Sequence, residues 1–239
     1  MRSIIAAGCL CLLASNAESQ ALQAEAFRWA GDLERGDRVH VRNVRGSIVV
    51  HYVDGQRVSV VADKRWRRSG ATAARIETRR VGNNLVICAL FAGETSCDPL
   101  EAEAQPQAPR RSTGDIVVDI VVRVPKGAPT RVVTLNGNVS VLDATGDVDA
   151  QSVNGDVAVR TAAGNVYAGT VNGGVTASLI PPVDAEVELT ASHGQLRSEF
   201  QIAIRGRLEA MRVRGRIGRG GRLIKLTTTN GNLFLLRGS

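Results

Sequence analysis

Acidic side chains crowd one short stretch: Asp143, Asp147, Asp149 and Asp156. Carboxylates this close could divide acid and base roles in cleaving a polysaccharide. Asp147 and Asp149, two residues apart, share one outward face of an extended strand, and Asp156 opens the next strand. Solvated turn acids are the better reading, because eighteen residues further on Asp147 aligns with Asn165 and Asp149 with Tyr167. No Ser/His/Asp set, nucleophile elbow or phosphate loop accompanies them, so no catalytic residue is expected. His40, His51 and His193 are scattered. No metal site and no cofactor is expected either. His193 could serve as a lone general base, but it stands at a turn, where a residue tolerant of φ > 0 is the simpler reading.

Sulfur chemistry gives a firmer expectation. Cys9 and Cys11 lie in an apolar N-terminal run, and Cys88 and Cys97 remain beyond it. An even pair at this spacing in an exported chain fits one disulfide closing a short loop. A metal site would need further ligands that the sequence does not offer near the pair.

Positive charge is concentrated near the C-terminus. Arg205, Arg207, Arg212, Arg214, Arg216, Arg219, Arg222 and Lys225 face a single acid, Glu209, within that stretch. The formal net charge of the 239-residue chain is +7. Alternation in Arg212-Val213-Arg214-Gly215-Arg216-Ile217 puts the arginines on one strand face. Such a face attracts anionic glycans or lipid headgroups, and its bland counterpart is a solvated outer surface. A second basic run, Lys64, Arg65, Arg67 and Arg68 around Trp66, reads as a sheet edge blunted by charge. Nucleic acid is not expected as a partner of an exported chain.

The elements that carry these residues are set by a repeat. Glycine recurs at Gly137, Gly146, Gly155, Gly164 and Gly173, a step of nine, each followed two residues later by valine. Asn136-Gly137, Asn154-Gly155 and Asn172-Gly173 are eighteen apart, with Thr145-Gly146 and Ala163-Gly164 between them. Glycine suits the φ > 0 position of a turn, and Asn-Gly is a natural corner. Val139 and Val141 alternate with Ser140, and Val157 and Val159 with Ala158, the period of a half-buried strand. Small Ala150 and Ala168 suit a thin coil. An Asn-Gly hairpin meander would also be all-β. The gapless eighteen-residue register favours parallel coils stacked in register. Asn136, Asn154 and Asn172 would then stack about 4.8 Å apart. They form either a ligand-facing ladder or, as turn chemistry favours, amides bonding one another.

The fold expected is therefore all-β: a single-domain β-solenoid, parallel β-helix-like, with two strands per 18-residue coil. Residues 1–17 read as a signal peptide, with Arg2, the apolar run from Ile4 to Ala14 and small residues at the cleavage point; cleavage after 21 is the alternative. A lipid anchor at Cys9 is the lesser alternative, because that cysteine comes early in the apolar run. Residues 22–131 form an N-terminal β-strand region with an exposed loop at 98–114, rich in proline and mixed charge. Residues 132–239 carry the repeats and continue it, ending in a Thr-rich strand and the Asn230-Gly231 corner.

The glycine-plus-two strand from Gly46 to Val50, the Val122-Arg123-Val124-Pro125 strand with Gly127, the repeats from Asn136 to Val175, and Gly220-Gly221 before Thr229-Asn230-Gly231 carry a resemblance. Across nearly the whole mature chain it resembles the putative adhesin family of bacterial β-strand-repeat proteins, a domain-of-unknown-function group. The resemblance implies an all-β solenoid, an extracytoplasmic setting, periplasmic or on the outer cell surface, and no established catalytic residues. The function expected is that of a non-enzymatic envelope scaffold or binding module touching anionic surface polymers. A polysaccharide-active β-helix enzyme and a self-assembling envelope polymer are the alternatives.

Overall fold

The computed structural model describes residues 23–66, 74–91, 97, 116–205 and 211–239. The signal segment, the loop at 98–114, Arg67, Arg68 and Arg207 lie outside the described residues. The first six strands are β1 (Gln23–Asp32), β2 (Arg38–Arg45), β3 (Ile48–Val53), β4 (Arg57–Trp66), β5 (Ala74–Val81) and β6 (Asn84–Phe91). There follow β7 (Val117–Pro125), β8 (Thr130–Asn136), β9 (Val139–Ala144), β10 (Val148–Asn154), β11 (Val157–Thr161), β12 (Val166–Asn172) and β13 (Val175–Leu179). The last are β14 (Ala185–His193), β15 (Leu196–Ser198), β16 (Ala203–Ile204), β17 (Arg212–Ile217), β18 (Arg222–Asn230) and β19 (Leu233–Arg237).

These strands build two large mixed sheets. Nine strands run in the order β1-β4-β7-β3-β9-β11-β13-β19-β15, and ten in the order β16-β17-β14-β18-β12-β10-β8-β2-β6-β5. The middle of each sheet is parallel; the strands added at the ends, β4 and β1, β5, and β17 and β16, are antiparallel. Each Asn-Gly corner carries the chain from the ten-stranded sheet to the nine-stranded one, so one strand from each makes a rung. Strands from both halves of the sequence share both sheets, since β2 pairs with β8 and β3 with β9.

The register follows the repeat. Val139, Val157 and Val175 are successive partners in one sheet, continued by Ile48 on one side and Leu233 on the other. In the other sheet Ala150 and Ala168 pair between Val132 and Leu226. All of these are buried, and the inward faces of both sheets join in one cluster. Each buried valine or leucine contributes about 1.5–3 kcal/mol. In-register parallel pairing stacks like on like, which is why the valine periodicity reads so cleanly.

Rung order departs from chain order at both ends. The last repeat, β18–β19, does not close the stack. It slides in beside β12–β13, and the earlier β14–β15 lies outside it. The last coil in the chain is thus not the last in the stack. β4 is likewise no edge, since β1 covers it; Lys64 pairs with Glu25 of β1 at 2.5 Å and Arg65 with Asp119 of β7.

The corners hold the rungs together. The Gly137 N–H donates to the Asn154 carbonyl, Gly155 to Asn172 and Gly173 to Asn230, each at 2.9 Å. The Asn side chains form the amide-to-amide ladder: Asn154 donates to Asn136 at 2.8 Å, Asn172 to Asn154 at 2.7 Å and Asn230 to Asn172 at 2.8 Å. His193 takes the Asn place opposite Asn230, but Gly194 supplies the positive φ there. Beneath the ladder a column of buried hydroxyls, Ser152, Thr170 and Thr228, donates to the glycine carbonyls of the neighbouring rung. Gly155 has φ 152°, and a Cβ there would run into the Gly137 carbonyl. Two constraints therefore select glycine, backbone conformation and rung-to-rung approach, where the sequence suggested only the first.

The opposite corners are less uniform. Gly146 does not take the positive φ expected of it; Asp143 does, at 59°. Between Val141 and Ala144 of β9 two residues oppose the single Arg160 of β11, a bulge, and Ala144 pairs with Thr161. The neighbouring rung spends its extra residue in the Ala162–Gly164 turn instead. The gapless spacing conceals this exchange.

Cys88 and Cys97 form the expected disulfide, with Cα atoms 6.1 Å apart. Leu85, Ile87, Ala89 and Phe91 of β6 enter the main core, while Val86, Cys88, Leu90 and Cys97 make a small second cluster on its other face. The turn before β6 is Gly82-Asn83.

Gly155→Ala should lower unfolding free energy by about 3 kcal/mol, as overpacking against a fixed backbone does. Gly36→Ala, with positive φ but open space around it, should cost only about 1–2 kcal/mol. Urea melts of both variants measure the difference; equal losses would remove the close-approach constraint. Replacing Cys88 and Cys97 together by Ser should cost roughly 2–3 kcal/mol on the loop-entropy account, read from the same melts.

Candidate functional site on the outer face of the ten-stranded sheet

The basic strand expected from sequence is β17. It pairs antiparallel with β14, so Arg212, Arg214 and Arg216 stand opposite Thr190, Glu188 and Glu186. All three arginines are exposed, while Ile217 turns inward and is buried. Valine and isoleucine at alternate positions fix this facing, because a one-residue slip would bury the guanidinium groups.

The charge around them is more mixed than a count along the segment implies. Arg205 reaches Glu186 at 3.4 Å, and Glu188 lies 3.9 Å from Arg214 and 4.0 Å from Lys225. Arg219 clasps Asp184 through its guanidinium at 2.8 and 3.0 Å and through its backbone N–H at 2.8 Å. The backbone N–H is the first cause of the Asp184 carboxyl's lowered pKa, the guanidinium bonds the next. Three acids of the preceding β14 region therefore face the cations, and sequence order hid them because pairing across strands is not local. Exposed pairs of this kind contribute little to stability, so an incoming anion competes for them readily. Arg212 and Arg216 make no ion pair among the described residues. Arg222 differs from the others: it is half-buried, donates to the Gly164 carbonyl at 3.4 Å, and burial lowers its pKa.

The acids weighed as a catalytic group are dispersed over separate structural tasks. Asp147 accepts from the Asn165 N–H at 2.8 Å, and Asp156 from the Gly174 N–H at 2.7 Å, both bracing one rung against the next. Asp143 pairs with Arg160 at 2.9 Å. Asp149 lies on the outer face between Arg131, 3.4 Å away, and Gln151, which donates to it at 2.7 Å. Among the histidines, His40 is buried at the outer face of β2 beside Arg131. Tyr52 is buried and bonds Ala128 and Thr130; burial pushes its phenol up to about 12. Among the described residues no group of His, Cys, Asp and Glu is arranged to hold a metal ion.

A hollow of 270 Å³ opens on the same face, between the corner at Pro129 and the side chains of Arg131, Asp149, Tyr167 and Lys225. It was not legible in the sequence, because its walls come from strands far apart in the chain. The register Arg131–Asp149–Tyr167–Lys225 puts them on four adjacent strands. Aligning the repeats would have shown that row, but not that it bounds a concavity.

No protein-family model matches the chain, and no curated protein matches it. Among solved structures, the chain is similar to a putative cell adhesion protein from Clostridium sporogenes ATCC 15579: 8% identity, 90% of this chain and 100% of that one covered, TM-score 0.57. It is matched less well to putative adhesins from Bacteroides fragilis NCTC 9343 and Parabacteroides distasonis ATCC 8503. Both are 8% identical, with TM-scores of 0.23 and 0.25. These cover 89% and 91% of this chain and 97% and 98% of theirs, but overlap too poorly to bear on the fold. The Clostridium protein shares the all-β architecture, and at this identity the likeness concerns fold alone.

Proposed function

We propose that the chain is an exported, non-enzymatic binding or scaffold module of the cell envelope, adhesin-like in kind. Its strand stack would serve as a β-solenoid, one continuous unit from residue 22 to 239, and would hold anionic surface polymers against its outer face. The carrying observation is β17, with Arg212, Arg214 and Arg216 outward in a row and acids within reach of only some of them. Support for an adhesin-like role comes from the resemblance in the repeats and from the shared fold of the Clostridium protein. The place of action would be the periplasm or the outer surface, reached through the N-terminal signal.

Self-association by edge pairing is the lesser role in this reading. The edge strand β5 carries Arg75, Glu77, Arg79 and Arg80, a charged border that discourages added strands.

The purified mature chain should be retained on heparin-like resin and released by salt, because exposed charges are screened within about 10 Å at 0.1 M. Changing Arg212, Arg214 and Arg216 together to Ser should shift elution to markedly lower salt without altering the melting temperature. Unchanged elution would end the role of this strand in anion binding.

A further inference from the structure

The hollow beside Pro129 has a chemistry distinct from that of the arginine strand. Four neighbouring strands present, in one row, Arg131, Asp149, Tyr167 and Lys225. Arg131 and Asp149 stand 3.4 Å apart and offset each other's charge. Lys225 has weaker company: its Nζ lies 5.7 Å from the centre of the Tyr167 ring and 4.0 Å from Glu188. The Tyr167 hydroxyl makes no hydrogen bond among the described residues. One step along the strand from the row, Gly169 presents no side chain beside Tyr167, and any Cβ there would crowd the Thr227 hydroxyl at 2.9 Å. At the rim, the Asn165 side chain braces the corner by accepting from the Leu223 N–H at 2.8 Å.

An aromatic ring, a cation with donors to spare, and a carboxylate beside a guanidinium form the set that a charged sugar requires. The ring offers an apolar platform for sugar C–H groups and the Tyr hydroxyl a hydrogen bond. Lys225 offers a point charge to a carboxylate, and the Arg131–Asp149 pair offers donors and acceptors to hydroxyls. The volume, 270 Å³, lies just below the range of ligand clefts, about 300–1,000 Å³; it suits one sugar ring and not an oligomer enclosed whole. Because the hollow is open and its row runs across the strands, a chain can enter and leave along the sheet.

We propose that this hollow is a subsite for one uronate unit of an acidic polysaccharide: its carboxylate on Lys225, its ring against Tyr167, its hydroxyls on Asp149 and Arg131. This rests on the reading of the chain as a glycan-binding module, and it places the selective contact in the hollow and only the long-range attraction at β17. A uronate polymer would thus be recognised by shape and carboxylate together, where the arginine strand responds to charge alone.

Titration of the full mature chain with tetragalacturonic acid, followed by calorimetry, tests the proposal. Saturable binding is expected, with at least tenfold loss on Tyr167→Ala and on Lys225→Gln, and tenfold loss when the methyl ester replaces the free acid. Melting temperatures identify a variant that fails to fold, and Lys225→Gln, at a half-exposed position, stands in should Tyr167→Ala do so. The Arg212, Arg214 and Arg216 triple Ser variant should lose the salt-sensitive part of the attraction, while the preference for the free acid over the methyl ester remains. No saturable binding by the wild type, equal affinity in folded Lys225→Gln, or equal affinity for the methyl ester would each overturn the subsite. Loss of that preference in the folded triple variant would do so as well. Failure of the wild type to be retained on heparin-like resin, with its uronate binding intact, would instead remove the arginine strand and leave the hollow.

Discussion

Backbone packs on backbone at the corners of this protein. The glycine of each Asn-Gly turn lies against the glycine carbonyl of the neighbouring rung, so closely that a single added carbon has no room. That approach sets the spacing at which everything else is satisfied. The glycine N–H reaches the neighbouring Asn carbonyl, the Asn side chain reaches the next Asn, and the buried Ser or Thr hydroxyl caps the glycine carbonyl. The glycine N–H, the glycine carbonyl and the Asn side chain of a turn thereby find partners one rung away, which meets the demand of buried backbone for hydrogen bonds. The valine columns follow, because strands leaving aligned corners are themselves aligned.

This explains what the sequence could reveal. A constraint that recurs at every rung leaves a periodic signature, so the parallel pairing, the inward valines and the amide ladder could all be read from Asn136 to Val175. Cys88 and Cys97 were readable for another reason: an isolated even pair has few alternatives. Constraints that act once, or between distant segments, leave no period. The insertion of β18–β19 inside β14–β15 was hidden because the repeats resemble one another, and similarity does not order them. The exchange of a bulge at Asp143 for a longer turn at Gly164 was hidden because the total length is the same. The acids Asp184, Glu186 and Glu188 were missed because they precede the basic segment in sequence and meet it only through strand pairing.

The same distinction bears on function. Read along the chain, residues 205–225 form a block of positive charge. Folded, they border a sheet face on which cations, acids and one aromatic ring alternate from strand to strand, in the row Arg131, Asp149, Tyr167, Lys225, Glu188 and Arg214. A face of mixed sign presents local patterns, and its cost in stability is small because the side chains are exposed. The corners fix the frame, and the outward positions are left available to vary. In such a frame binding chemistry can be placed on the outer row without disturbing the core, which contributes its stability from the opposite side of each strand.

The measurement that bears most directly on the corner contact is native-state amide hydrogen exchange. The N–H groups of Gly137, Gly155, Gly173 and Gly231 each donate across a rung, at 2.8–2.9 Å. If the corners hold the stack, these four should exchange in the slowest class, only through global unfolding, although they belong to turns. Exchange of these amides as fast as that of exposed Gly36 and Gly55 would contradict the account, because it would mean that the corners open while the strands remain paired.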